Sequence, residues 1–139
     1  MKNGEKTKEF GVLVNTRDSG LAELTEILGN NGVNIITLSM SSDGSSQPHV
    51  RLITSDESTC RQLLKQMKCP FVEEEILTVT IEDKPGSLAK LLRKLKKSSI
   101  GVKSVYIINK KAGKVEFVVG VDNVEEGRKL LFEKLGLEH

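Results

Sequence analysis

The chain has 139 residues, of which 37% are hydrophobic and 29% charged, and its formal net charge is +2 at pH 7. This composition is typical of one ordinary globular domain or two small ones, and the charge argues neither for nor against nucleic acid as a partner. No apolar run approaches the roughly 20 residues of a membrane span, and the polar N-terminus contains no apolar signal segment, so the sequence predicts a cytoplasmic protein.

Cysteine and histidine usage predicts neither a disulfide framework nor a metal site. Cys60 and Cys69 are too few for such a framework, and we expect both to be thiols in or beside the core. His49 has no second histidine nearby. His139 ends a Leu-Glu-His sequence that is typical of a purification tag, so it is left out of the fold prediction.

The first half of the chain predicts the order strand, helix, strand, strand, helix, strand. Apolar and β-branched residues predict strands at 10–15, 33–40, 49–54 and from Phe71. The first helix begins after the caps Asp18 and Ser19 and ends at Gly32, whose backbone we expect to be left-handed. Asp56 is the predicted cap of the second helix.

The second half predicts the same order, except at its end. The expected elements are a strand at 76–82, a helix at 87–98 capped by Ser87, strands at 102–109 and 114–121, and a helix capped by Asp122 or Asn123. Only four residues follow Leu135, so this half is expected to lack a full last strand.

A repeat with a spacing of 67 residues relates the halves. Leu21, Leu24 and Leu28 recur as Leu88, Leu91 and Leu95. A period this long indicates a duplicated domain rather than a solenoid unit. The sequence therefore predicts an α+β fold of two ferredoxin-like βαββαβ domains, residues 8–74 and 75–136, each an antiparallel sheet with helices on one face.

The turn between the predicted strand at 76–82 and the helix at 87–98 is a candidate binding site. Pro85 suits the corner of a turn, and Gly86 can adopt backbone angles that other residues avoid. A strand that leads straight into a helix leaves unpaired N–H groups at Gly86, Ser87 and Leu88, which can receive a carboxylate. Asp83 could accept a hydrogen bond from an ammonium group, or could instead stabilise its own turn.

Two motifs resemble the ACT domain family, and the likeness extends over about residues 8 to 135. The segment Glu82-Asp83-Lys84-Pro85-Gly86-Ser87-Leu88-Ala89 is similar to the family's Asp-x-Pro-Gly-x-Leu turn, and Gly32-Val33-Asn34-Ile35 to its Gly-Val-Asn-Ile entry into the second strand. The resemblance implies a small protein of two tandem ACT domains. It also implies that domains pair side by side and bind small effectors, most often amino acids, at the seam between them.

The resemblance places the ligand-binding residues in both halves. In the second half they are Asp83, Lys84, Pro85, Gly86, Ser87 and Leu88, and in the first they are Asn34, Ile35, Thr16, Arg17, Asp18, Ser19 and Gly20. The first-half turn departs from the family's pattern, because Thr16 stands where Asp83 does and Asp18-Ser19 replace Pro85-Gly86. The resemblance therefore favours one composite site, built from residues 83–87 together with Asn34 and Ile35.

Three functions are compatible with these observations. The resemblance favours a regulatory or sensor module without catalysis or cofactor, which forms a homodimer and is read by a partner enzyme or regulator. A basic block from Lys84 to Lys114, with Lys90, Arg93, Lys94 and Lys97 on one helix face, indicates either a solvated exterior or a docking surface for an acidic partner or nucleic acid. A hydrolase of the acyl-phosphatase type would need Arg17 as its anion-binding residue.

Overall fold

The computed structural model describes residues 7–14, 20–41 and 49–138, and these form two compact units. The first unit is Lys8–Glu74, and the second consists, among the described residues, of Thr7 and residues 75–138. The elements in chain order are β1 (Thr7–Leu13), α1 (Gly20–Asn30), β2 (Ile35–Ser41), β3 (His49–Thr54), α2 (Glu57–Gln66), β4 (Phe71–Glu82), α3 (Ser87–Lys97), β5 (Val102–Lys111), β6 (Lys114–Val121) and α4 (Val124–Arg128), which continues as a π-helix (Lys129–Lys134).

The first unit is an antiparallel sheet with its helices on one face. Strand β3 pairs with β1 and β2, and the beginning of β4 completes the order β2-β3-β1-β4. Phe10 lies opposite Leu52, and Val12 opposite Val50, so these side chains share a face. That face packs on both helices in a core formed by Phe10, Val12, Val14, Leu24, Leu28, Val33, Val50, Leu52, Cys60, Leu63 and Leu64.

The second unit repeats this arrangement with one strand fewer. Strand β6 pairs antiparallel with the end of β4 and with β5, which gives the order β4-β6-β5. Its core contains Leu77, Val79, Leu91, Leu95, Ile100, Val115, Phe117, Val119, Val121 and Leu131. Among the described residues a single isolated bridge, from Thr80 to Glu138, stands where a fourth strand would begin. The predicted α+β fold class of two ferredoxin-like domains is therefore confirmed.

The 67-residue spacing extends to individual hydrogen bonds. The N–H of Val33 donates to the carbonyl of Leu28 at 2.9 Å, and the N–H of Ile100 donates to that of Leu95 at 3.0 Å. Gly32 has a φ of 73° as predicted, while Ser99, at the matching position, has a φ of 57°. Both residues therefore close a helix in the left-handed conformation, although only one of them is glycine.

The spacing changes to 68 after the π-helix. In the first unit the N–H of Cys69 donates to the carbonyl of Leu64, and in the second the N–H of Leu137 donates to that of Leu131. The π-helix therefore contains one extra residue, which is how such segments usually arise within α-helices. This insertion was not predicted.

The ends of the strands differ slightly from the prediction. Strand β4 runs without interruption from Phe71 to Glu82, where two strands were expected with almost no linker between them.

None of the helices in residues 7–14, 20–41 and 49–138 is long and apolar enough to cross a bilayer.

Candidate functional site

The turn that joins β4 to α3 has a defined geometry. The N–H of Ser87 donates to the carbonyl of Lys84 at 3.2 Å. Gly86, third in this turn, has a φ of 89° and a ψ of −13°, which together with Pro85 at the second position is the geometry of a type II turn. Proline presets the second residue and glycine tolerates the positive φ of the third, so the sequence accounts for the turn.

The predicted cap and one of the predicted amides were wrong. Gly86, rather than Ser87, is the N-cap of α3, and no side chain caps the helix. The N–H of Ser87 is used within the turn, as described above. By contrast, no backbone carbonyl in the described ranges accepts from the N–H of Gly86 or Leu88. Two of the three predicted donors are therefore available to a ligand, as expected at a helix N-terminus.

The charged residues of the turn have partners of their own. The carboxylate of Asp83 lies 3.3 Å from the ammonium of Lys110, and its N–H donates to the carbonyl of Gly113 at 2.9 Å, so Asp83 connects the turn to the β5–β6 hairpin. Lys84 pairs with Glu82 at 2.7 Å. Hydrogen bonding to Lys84 lowers the pKa of Glu82, and the same contact raises the pKa of Lys84.

Beside this turn lies a cavity of about 430 Å³, which we call the lysine groove. Its lining contains three apolar side chains, four lysines and two glutamates. The lining residues are Thr80, Ile81, Glu82, Lys84, Ser87, Lys90, Leu91, Lys94, Lys114, Gly136, Leu137 and Glu138. A volume in this range is typical of small-molecule sites.

The predicted residues of the second half contribute unequally to this groove. Lys84 and Ser87 line it, whereas Asp83, Pro85, Gly86 and Leu88 do not. Leu88 instead packs against the core of the second unit.

The groove also divides the basic residues that were predicted to share one face of α3. Lys90 and Lys94 line it, whereas Arg93 and Lys97 are exposed and do not. The sequence showed the excess of lysine but not the groove. Side chains of α3 line the groove together with residues 136–138, which are far from α3 in the sequence and come close only in the folded chain.

The predicted residues of the first half lie in the first unit. Asn34 is exposed, and its backbone N–H and carbonyl both bond Ser55, each at 2.9 Å. Ile35 begins β2 and packs against the core. Gly20 is the first residue of α1. The other predicted residues, Thr16, Arg17, Asp18 and Ser19, lie outside the described residues.

Both cysteines are free thiols, as predicted. Cys60 is fully buried, and this burial raises the pKa of its thiol to about 11. Cys69 packs beside the same core, and burial raises its pKa as well. Neither thiol is therefore poised as a thiolate nucleophile. Across residues 7–14, 20–41 and 49–138, no cluster of three or more His, Cys, Asp or Glu side chains could hold a metal ion.

Comparison with known proteins identifies a family and a fold. The family model described as "ACT domain pair" matches residues 6–137. None of the curated protein sequences compared with the chain matches it.

Several solved structures are similar to the chain over most of its length. Protein BT0572 from Bacteroides thetaiotaomicron is 20% identical, with a TM-score of 0.86, and the match covers 96% of this chain and 90% of that one. The ligand-free regulatory subunit of aspartate kinase from Thermus thermophilus is 10% identical, with a TM-score of 0.64 and coverage of 88% and 87%. A structure of aspartokinase alpha and beta subunits is 12% identical, with a TM-score of 0.62 and coverage of 94% and 93%. At these identities the likeness is one of fold.

Proposed function

Because the chain belongs to the ACT domain family as a pair of such domains, we propose that it is a regulatory module that binds an amino acid beside the turn Asp83–Ser87. It would have no catalytic activity of its own and would act by changing its association with a partner enzyme or regulator. Solved structures of this fold include a protein named as the regulatory subunit of aspartate kinase, which supports a regulatory role.

The observation that carries the proposal is the type II turn beside the lysine groove. The N–H groups of Gly86 and Leu88 lie at the positive end of the α3 dipole, where a carboxylate is favoured. Glu82, which lines the groove and has a lowered pKa, supplies a carboxylate for the ammonium of the ligand. Ile81 and Leu91 offer apolar surface to its side chain. Asp83 could also receive the ammonium, in competition with Lys110.

The predicted composite site remains part of this proposal. Asn34 and Ile35 come from the first unit, and their contribution would require that an ACT domain pairs with the second unit at this turn. We propose that such pairing occurs in a homodimer.

Exposed apolar residues on the edge strands support pairing of two copies. Leu38 and Met40 on β2 are 39% and 49% exposed, and Val105 and Ile107 on β5 are 37% and 51% exposed. These residues recur at the 67-residue spacing, on the outermost strand of each unit. A surface that is apolar at matching places in both repeats fits an interface better than scattered exposure does, and the open strand edges can extend a sheet.

Ligand binding can be tested by thermal denaturation of the full chain with each of the twenty amino acids. At least one should raise the melting temperature in a concentration-dependent way, because a ligand that binds only the folded state stabilises it. Glu82→Gln should weaken that response, while Glu133→Gln, at an exposed residue outside the groove, should not. A response to none of the twenty would contradict the proposal.

Pairing can be tested by sedimentation at several protein concentrations. The chain should sediment as a dimer, and Met40→Glu or Ile107→Glu should shift it towards monomer, because a charge would be buried in the interface. Val72→Glu is the control, since Val72 is 61% exposed and lies on β4 rather than on β2 or β5. A chain that is monomeric, or a dimer unaffected by either substitution, would contradict pairing through these strands.

A further inference from the structure

The charges of the lysine groove indicate which class of amino acid it takes. It contains four lysines and two glutamates, so its formal charge is +2 before a ligand enters. Lys84 is neutralised by Glu82 at 2.7 Å and Lys114 by Glu138 at 2.9 Å. For Lys90 and Lys94, no carboxylate in the described part of the chain lies within 4.0 Å. The unmatched positive charge is therefore concentrated on one side of α3.

Of the two lysines, Lys94 lies in the last turn of α3, where the helix dipole favours a cation, but Lys90 does not. They are four residues apart on α3, where like charges repel, and Lys90 lies near the positive end of the helix dipole. The first turn of α3 contains no acidic residue. The helix dipole therefore does not explain the presence of Lys90.

The first unit shows which residues stand at the corresponding positions of its own helix. At the 67-residue spacing Lys90 corresponds to Glu23, an acidic residue in the first turn of α1. Lys94 corresponds to Ile27, which packs against the core of the first unit. Lys94 and Ile27 are both half-buried, so the two units carry a cation and an apolar side chain at equivalent, partly exposed positions. The second unit therefore has two cations where the first has an anion and an apolar side chain.

One carboxylate of the groove comes from Glu138, which belongs to the Leu-Glu-His end that is typical of a purification tag. Glu138 lines the groove and accepts a hydrogen bond from the ammonium of Lys114 at 2.9 Å. The carboxylate thus satisfies a lysine on one wall, while Lys90 and Lys94 stand on α3. A ligand with two carboxylates could match both, and Glu82 could accept from an amino group of the same ligand.

We infer that the lysine groove binds a small dicarboxylate, and in particular an acidic amino acid, through Lys90 and Lys94. This inference rests on the proposed function, since it names the class of the effector. One carboxylate of the ligand would lie against Lys90 and the other against Lys94. A neutral amino acid would leave one of the two cations without a partner.

Calorimetric titration at constant ionic strength tests the inference with aspartate, glutamate and succinate against asparagine, glutamine and succinamide. The acidic ligands should bind at least about tenfold more tightly than their neutral counterparts, which corresponds to about 1.4 kcal/mol. Glycerol phosphate, a phosphate monoester, distinguishes a dicarboxylate site from a general anion site and should bind more weakly than succinate.

The matched variant places the residues of the first unit at the two equivalent positions of the second unit. Lys90→Glu combined with Lys94→Ile should abolish the preference for acidic ligands, whereas Arg93→Glu, an exposed charge reversal on the same helix outside the groove, should preserve it. The double variant is expected to fold, because α1 carries these residues in the equivalent helix. Its thermal unfolding verifies this.

The outcomes separate the inference from the proposed function. Equal affinity for acidic and neutral amino acids would overturn the inference and leave the proposed function in place. Binding of acidic ligands that survives the double variant, or tighter binding of glycerol phosphate than of succinate, would also overturn it. If no amino acid of either kind binds, both fail.

Discussion

The two units share the same order of helices and strands but differ at the last strand of the sheet. In the first unit the N–H of Leu13 donates to the carbonyl of Pro70 at 3.1 Å, and strand β4 begins with the next residue. In the second the N–H of Thr80 donates to the carbonyl of Glu138 at 2.8 Å, and the described chain ends there. The same hydrogen bond therefore forms at the equivalent position of both units.

The residues that follow Pro70 show what a fourth strand contributes. Phe71 packs on Phe10 with ring centroids 6.0 Å apart. Glu73 accepts two hydrogen bonds from the guanidinium of Arg61, at 2.7 and 2.6 Å. In the second unit Arg128, 67 residues after Arg61, instead pairs with Glu125 on its own helix at 2.7 Å. Equivalent arginines thus join a helix to the fourth strand in the first unit and form only a pair within the helix in the second.

The largest predicted effect compares the two cores directly. Leu28 and Leu95 are equivalent and fully buried. Replacing either with alanine should lower the free energy of unfolding by about 2–5 kcal/mol, because the substitution removes buried methyl groups and leaves a cavity. The loss for Leu95→Ala should lie towards the lower end of this range, since a unit with one strand fewer can relax more readily into the cavity.

Chemical denaturation measures the total loss, and hydrogen exchange assigns it to a unit. Protection should fall most in the unit that carries the substitution. A Leu95→Ala change that costs more than Leu28→Ala would contradict the expectation that the unit with fewer strands relaxes more readily.

The order of helices and strands was predictable from sequence because local patterns of residues determine it. Apolar periodicity indicated each helix and strand, and Gly32 and Asp56 marked two helix ends through their own backbone and side-chain preferences. Asp56 does cap α2, accepting from the N–H of Thr59 at 3.0 Å, and the hydrogen bond from the Thr59 hydroxyl lowers the pKa of Asp56. Such signals depend on residues a few positions apart, which one sequence shows.

The features that the sequence did not predict depend on contacts between residues far apart in the chain. Asp122 and Asn123 were equal candidates to cap α4, but Asp122 instead accepts from the N–H of Gly101 at 3.0 Å, and Asn123 caps the helix. A Cβ on Gly101 would lie 2.6 Å from a carboxylate oxygen of Asp122, which accounts for glycine where the first unit has Asn34. The walls of the lysine groove were missed for the same reason, since residues 90 and 138 meet only in the fold.

A smaller effect is expected from exchanging the helix-ending residues of the two units. Ser99→Gly should raise the free energy of unfolding by about 1 kcal/mol and Gly32→Ser should lower it by about the same amount, because a left-handed backbone strains any residue with a Cβ. Both residues have a positive φ, and no atom within 4 Å would meet a Cβ on Gly32, so crowding does not contribute.

Urea denaturation should show these changes in the midpoint with an unchanged slope. Ser98→Gly is the control, since its φ of −92° suits serine and glycine would only add freedom to the unfolded chain. If Ser98→Gly stabilised the protein as much as Ser99→Gly, backbone strain at residue 99 would not be the cause.

The smallest effect is a dependence of stability on pH that belongs to the first unit. Hydrogen bonding to Arg61 lowers the pKa of Glu73 in the folded state. A carboxyl group whose folded pKa lies below its unfolded value stabilises the fold above the unfolded value, and loses that contribution as pH falls through the folded pKa. Glu73→Gln should therefore lower stability at pH 7, and the difference from the unmodified chain should close in acid.

Denaturation of both chains between pH 7 and pH 3 measures this difference. Glu125→Gln serves as the matched change in the second unit, and its effect at pH 7 should be smaller, because the Glu125 side chain is 62% exposed and that of Glu73 only 21%. The two substitutions remove a carboxylate from equivalent arginines, and Glu73 lies in addition 3.8 Å from the ammonium of Lys8, so their difference measures what a carboxylate on the fourth strand contributes through both cations. Equal effects at pH 7 would show that Arg61 gains no more from a carboxylate on that strand than Arg128 does from its neighbour on the helix.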